Sequence, residues 1–414
     1  MLELKNYKLF FQFSEVHPSA RLEVIFHRTL RIPDDEKTYP LPPSLGTFPI
    51  AHVDDYKDKV PEKWIKHGGV MLPMWQSEAV WLQFVSCHVP GHSHVWPFAI
   101  KVSTGKRSAV TGKAWSKTLR EGDYLVIPEQ KWLDGYVVED GVIRQFIAAP
   151  LGMGATAEEQ ITGKAEHGGL QIEVYPMSAV EYMKRWPQLP VTRQRRSILR
   201  SYDNGEEKTL GGVELFDFDY EREADDDTTP IACAGSSAYL TGSVNVSNIS
   251  EISESWSSTS VNTVNASWNG ARGITTKNCS LTPQSATIRP DMGLAPGGRM
   301  AQQVFSDTYG MEVWDTSHHD RCFVHLSNSL AWKAITGKDA PTIPLSAADY
   351  SRHGMPWFSH YCDAPTVKPS KKIAGLKSAI QIGEEKGVPI VLENESAQPK
   401  TVVHTTEVRD GKWG

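Results

Sequence analysis

Three histidines within seven residues, in Cys87-His88-Val89-Pro90-Gly91-His92-Ser93-His94, are the most direct offer of chemistry in the chain. His92 and His94 form an H-x-H pair. On a strand, residues two apart point to one face, so both imidazoles would reach one ion. His88 would add a third nitrogen and Cys87 a thiolate. That donor set suits a divalent metal and, through a metal-bound water, hydrolysis. The proline and glycine between them argue instead for a polar loop that is rich in histidine.

A second group lies far down the chain, in Ser317-His318-His319-Asp320 with Cys322 close behind. Adjacent histidines face opposite ways on a strand, so both do not serve one site easily. The spacing matches no ligand motif. His318, His319 and Asp320 are catalytic candidates if the fold carries them to the first cluster. A third feature is the glycine loop Pro150-Leu151-Gly152-Met153-Gly154-Ala155, which runs into Thr156-Ala157-Glu158-Glu159. Such a loop before a helix can cradle phosphate. Here two glutamates occupy the first turn and no Lys-Ser/Thr follows the glycines, so the reading is a structural turn. No nucleophile elbow, H-E-x-x-H, dinucleotide-binding, EF-hand or kinase signature occurs, and no internal repeat.

The elements that must position these residues are mostly strands. Tyr136-Val137-Val138 and Val142-Ile143 flank Glu139-Asp140-Gly141, and Asp-Gly between β-branched runs predicts a tight hairpin. Phe98 to Val102 and Arg107 to Thr111 predict another. Arg21 to Ile32 and Ala79 to Val85 read as strands. Leu170 to Tyr175 alternates apolar and polar, as a half-buried strand does. The predicted helices are short. Pro61 opens Glu62 to His67 and Gly68 closes it. Thr156 and Glu159 form a capping box, with Gly163 as the stop. Ser178 to Glu181 reads as a second box. Ser327 caps a helix to Ile335, Ser346 caps another, and Ser370 opens a last helix that runs to Gly387. Pro296-Gly297-Gly298-Arg299-Met300 reads as a turn. The expected class is α+β and β-rich: antiparallel sheets, sandwich-like or barrel-like, with short decorating helices.

Five segments resemble those of a family of uncharacterised microbial hypothetical proteins: LPPSLGTFPI, QKWLDGYVVEDGVIRQFIA, EEQITGKAEHGGLQIEVYPM, MGLAPGGRM and FVHLSNSLAWKAITG. The resemblance extends to both sides of the middle of the chain. It implies one unit of fold and carries over no activity and no catalytic residue.

Composition sets outer bounds. The chain has 414 residues, 40% hydrophobic and 22% charged, with a net charge of −6. These values describe an ordinary globular protein, and no basic domain argues for a nucleic-acid partner. The small basic cluster from Thr192 to Arg200 reads as a solvated linker or helix face. No apolar run is long enough to span a membrane, and the first residues lack a signal-peptide pattern. The five cysteines are scattered without C-x-x-C spacing, which fits reduced thiols in the cytoplasm. Thirteen tryptophans spread along the chain predict core and interface packing, or platforms for a sugar.

The chain divides into a β-rich part (1–200), an acidic then Ser/Thr/Asn-rich insert (201–290), an α+β part packed on the first (291–395) and a frayed polar tail (396–414). The insert holds N-x-S sequons at Asn245, Asn248, Asn265 and Asn278. The leading expectation is a non-catalytic cytosolic protein that binds a small molecule or a protein partner, or assembles as a homo-oligomer. The alternatives are a metal-dependent hydrolase at His88, His92 and His94, and a carbohydrate-binding protein.

Overall fold

The computed structural model describes residues 1–188, 200–203, 206–209, 291–390 and 399–407. The first strands are β1 (Leu2–Lys5), β2 (Lys8–Gln12), β3 (Arg21–Thr29), β4 (Thr38–Tyr39), β5 (Ser44–Thr47), β6 (Ala51–His52) and β7 (Val70–Met74). Then come β8 (Ala79–Ser86), β9 (Phe98–Thr104), β10 (Arg107–Ser108), β11 (Leu125–Ile127), β12 (Trp132–Leu133), β13 (Gly135–Glu139), β14 (Val142–Pro150) and β15 (Leu170–Pro176). The remainder are β16 (Arg200–Asp203), β17 (Glu206–Thr209), β18 (Asp291–Ala301), β19 (Asp320–Asn328), β20 (Trp357–Cys362) and β21 (Val402–Glu407). Short helices decorate them: α1 (Glu62–His67), α2 (Ala157–Thr162), α3 (Ala179–Arg185), α4 (Ser329–Thr336), α5 (Ala347–Arg352), α6 (Lys371–Ala374) and α7 (Ala379–Lys386). None of these helices is long and apolar enough to cross a membrane.

Most of the strands share one large, mainly antiparallel sheet, in which β4 lies parallel to β18 and β7 parallel to β19. The expected β-rich α+β class is what the chain forms, and the sheet is not closed into a barrel. Its logic is visible in the β3–β8 ladder. Val24 faces Phe84 and Phe26 faces Leu82, all buried, so the apolar rows of both strands enter one core. The Asp140-Gly141 turn joins β13 to β14 as predicted, with Gly141 at φ 71°. β14 then pairs along β18, and β15 pairs with β9 on one side and β19 on the other. Strands from residues 291–328 are thus woven into the sheet built by the first part of the chain.

Several local expectations need correction. Pro296 to Met300 is no turn but the middle of β18. A register shift against β14 falls between Arg144 and Phe146, where two steps on β14 meet three on β18. The glycines serve this bulge and close approach: a Cβ at Gly298 would lie 2.2 Å from the Pro33 carbonyl oxygen. Asn328, not Ser327, caps α4, accepting from the Ala331 amide. The helix predicted after Ser370 is two helices, α6 capped by Ser370 and α7 by a Ser378–Gln381 capping box. Ser378 offers α7 a fresh start, so the earlier helix need not continue. Residues 402–407 of the tail do not fray, but form β21 parallel to β20. Apart from the β16–β17 hairpin, the insert from 201 to 290 lies outside the described residues, with Cys233, Cys279 and the four sequons. So does most of the basic cluster at 192–200.

Candidate functional site

The first histidine cluster is not on a strand. Residues 91–94 form bends, so the alternation that would align His92 with His94 does not apply. His88 is exposed. His92 Nδ1 contacts the Trp186 carbonyl oxygen at 2.7 Å, and its ring leans on Tyr182. His94 Nδ1 contacts the Val95 carbonyl oxygen at 2.8 Å, and its ring stacks on Trp186 at 4.1 Å. Burial holds the His94 imidazole below its usual pKa. These two rings pack the end of α3 to the sheet. Among the described residues, no group of three or more His, Cys, Asp or Glu converges as a metal site would require.

The second cluster splits, with His318 and His319 just ahead of β19 rather than on it. His318 turns to Asp315, with its Nδ1 2.7 Å from Oδ2. Asp320 pairs with the Met1 amino group at 2.7 Å. Cys322 is buried, and burial pushes its thiol up to about 12, far from a reactive thiolate. His319 alone turns inward, stacking on Tyr175 with ring centres 5.1 Å apart. It leads to the most unusual feature of the molecule.

That feature is the polar face of β9, β15 and β19. Leu170, Ile172 and Val174 point into the apolar core, as the alternation predicts. Gln171, Glu173 and Tyr175 point the other way, yet they too are buried. Across the ladders, Gln171 sits between Ser103 and Phe323, and Glu173 between Lys101 and Arg321. Lys101 and Glu173 are 2% and 0% exposed, so an ion pair lies wholly out of water. Lys101 Nζ donates to Glu173 Oε2 at 2.7 Å and to the Ser116 carbonyl at 2.6 Å, and lies 5.3 Å from the centre of the Trp115 ring. Glu173 Oε1 has no hydrogen-bond partner, since His319 Nε2 stands off at 3.7 Å. His319 Nδ1 is likewise buried and unpartnered. Burial, then the Glu173 charge, pushes the Tyr175 phenol well above its usual range.

At the other end this face opens into a cleft of about 450 Å³ lined by Lys106, Arg107, Trp115, Glu158, Lys164 and His167 among others. Trp115 belongs to a row of near-parallel rings. Trp115 and Phe323 are 8° from parallel with centres 6.2 Å apart, and His67 stacks on Phe323 at 4.4 Å. The Lys106 ammonium lies 5.6 Å from the Phe323 ring centre. His67 and His167 meet edge to face at 6.4 Å. Burial, then the positive charge of Lys106, holds both imidazoles below their usual pKa.

Two consecutive glutamates fix the loops on either side of α2, and one of them, Glu158, lines the cleft. Glu159 completes the Thr156 capping box and also accepts from the amides of Gly152 and Gly154, each at 2.8 Å. The glycine loop therefore cradles an anion of its own, the carboxylate of the helix it precedes. Glu158 accepts from the amides of Glu166, His167 and Gly168 at 3.1, 2.9 and 2.8 Å. This anchors loop 163–168 over the β9–β10 turn. Gly105 in that turn has φ 53°, and a Cβ there would lie 2.4 Å from Glu158 Cβ. The turn and the Glu158 side chain of α2 can touch only because that position is glycine.

Comparison with known proteins adds no assignment: no family model, no curated protein and no solved structure matches the chain. Of the residues that face the site, sequence reasoning reached only His319. Lys101, Glu173, Trp115 and Lys106 carry no motif. The available signal was the charged residue at the centre of Leu170 to Tyr175, where alternation allowed a wet face and the fold made a dry one.

Proposed function

We propose that the protein binds a small polar molecule in the cleft beside Trp115, and does so without transforming it. The observation that carries this reading is the cleft itself: an open space of about 450 Å³ whose wall at Glu166 and His167 is tied down by the buried Glu158 carboxylate. Prearranged walls lower the ordering cost of binding. The carboxylates there are already committed. Glu158 is saturated by amides, and Glu166 lies 3.2 Å from Lys164. Carboxyl groups with raised pKa, such as Glu78, Glu129 and Asp134, belong to separate buried networks elsewhere. That dispersal supports binding rather than acid–base catalysis. A cytoplasmic location fits the free thiols of Cys322 and Cys362. The near-parallel Trp115 and Phe323 rings also keep a carbohydrate platform as a second reading.

A thermal-shift screen of anionic, neutral and cationic small molecules tests the proposal, with Trp115→Leu as the control. A ligand at a hundred times its Kd adds about 2.7 kcal/mol to stability. At least one compound should stabilise the parent chain and fail on the variant. Equal shifts in both, or no shift from any class, would refute binding at this cleft.

A further inference from the structure

Resting on that reading, we infer that the cleft takes a planar ring bearing a carboxylate or phosphate, the ring lying along Trp115 and the anion meeting Lys106 and Arg107. Three observations build this assignment.

The first is charge. Lys106 and Arg107 line the cleft from the β9–β10 turn, and neither makes an ion pair among the described residues. The acidic neighbours cancel them only in part. The Glu158 oxygens receive three backbone N–H groups, and Glu166 is matched by Lys164. Lys106, Arg107 and Lys164 against Glu158 and Glu166 leave the lining with a net positive charge, which favours an anionic guest.

The second is rigidity. Lys106 holds φ 57°, a conformation that side-chain-bearing residues seldom adopt. Its amide donates to Gln171 Oε1 at 2.6 Å, and its carbonyl accepts from the Trp115 amide at 3.0 Å. Cation and indole are thus fastened to each other through the backbone. Strain held in place by neighbouring bonds, at a position that aims a charge into a cleft, is what a binding site retains.

The third is the aromatic lining. Trp115 lines the cleft and belongs to a row of near-parallel rings that continues through Phe323 to His67, onto which a further flat ring can stack. Lys101 backs the indole from the buried ion pair, so the ring has support behind it. A sugar would use the rings but would leave Lys106 and Arg107 unanswered. A bare inorganic anion would use the cations and leave the rings idle.

The test uses adenosine 5′-monophosphate as a ring with an anion, adenosine as the ring alone and inorganic phosphate as the anion alone. Titration calorimetry on the full chain at low and high salt gives the three affinities. The mononucleotide should bind at least tenfold more tightly than either fragment and weaken as salt rises. Lys106→Ala/Arg107→Ala should lose at least tenfold for the mononucleotide while leaving adenosine unchanged. Should that variant fail to fold, Lys106→Gln/Arg107→Gln keeps the side-chain length and serves in its place. A mononucleotide that binds no better than adenosine, or equally well to the charge-deleted variant, overturns the inference. If the thermal-shift screen then still finds a neutral or cationic compound lost in Trp115→Leu, the cleft remains a binding site and only the ligand class is wrong. If it finds none, both readings fall.

Discussion

Replacing Glu173 with leucine should destabilise the protein by about 3–5 kcal/mol, because it leaves the Lys101 ammonium charged, buried and short of a partner. The magnitude follows from the geometry. The two charged atoms are 2.7 Å apart and the side chains 3% and 0% exposed, so solvent screening is slight. At that distance and an effective dielectric near 20, the gross attraction is roughly 6 kcal/mol. Desolvation of both ions offsets much of it, so the pair itself contributes little net stability. Breaking it is costly because only the attraction disappears. The Ser116 carbonyl stays within 2.6 Å of Lys101 Nζ but brings no counter-charge. Lys101→Met/Glu173→Leu removes both charges together and should recover most of the loss. Urea melts of the parent, the two single variants and the double variant close the cycle. If the single variants cost less than about 1 kcal/mol, or the double variant costs their sum, the polar face is not the dry, tightly coupled surface described above.

Other consequences are independent of that pair. Burial pushes the Asp134 carboxyl from 3.8 up to about 7, with the Gln302 amide opposing it in part. The native state then holds this proton more tightly than the unfolded chain, so stability falls as pH rises between about 4 and 7, by up to about 4 kcal/mol. Asp134→Asn should flatten this component in urea melts taken across that range, and unchanged slopes would contradict it. Gly105→Ala places a Cβ 2.4 Å from Glu158 Cβ at positive φ and should cost about 1–3 kcal/mol. Hydrogen exchange at the amides of Glu166, His167 and Gly168 should quicken, and unaltered protection would show that the Glu158 anchor tolerates the change. Anion binding in the cleft should strengthen as pH falls from 7 toward 5. His67 and His167 start below 6.5, held there by burial and by Lys106 and Lys63, and a bound anion favours their protonated forms. Glu158 and Glu166 pull His167 the other way, and His325 adds no charge because burial first of all keeps it at about 4. Calorimetry with an aromatic sulfonate, whose charge is fixed across this range where a phosphate monoester titrates at about pH 6, should show a flat pH profile for His67→Gln/His167→Gln, and a slope equal to the parent's would assign the effect elsewhere.

The features that short stretches specify were legible in the residues themselves. Asp140-Gly141 fixed a hairpin because a tight turn needs positive φ. Thr156 and Glu159 fixed the start of α2, and Gly163 its end, through bonds that span three or four residues. Elsewhere the same rules meet distant contacts that prevail. Pro296 to Met300 resembles a turn, but its glycines admit the Pro33 backbone and a bulge against β14. His92 and His94 have ligand spacing, but the chain bends there and their rings pack on Tyr182 and Trp186.

The sequence by itself determined that strands dominate, that helices are short, and that Leu170 to Tyr175 has one apolar face and one polar face. Only the tertiary structure decided that the polar face would be covered, that Lys101 and Glu173 would meet across 72 residues of chain, and that Lys106 would share a cleft with Glu158. Alternation along a strand is set by backbone geometry within a few residues. Which side chains stand opposite each other is set by register between strands remote in sequence, and register is a property of the whole packed sheet.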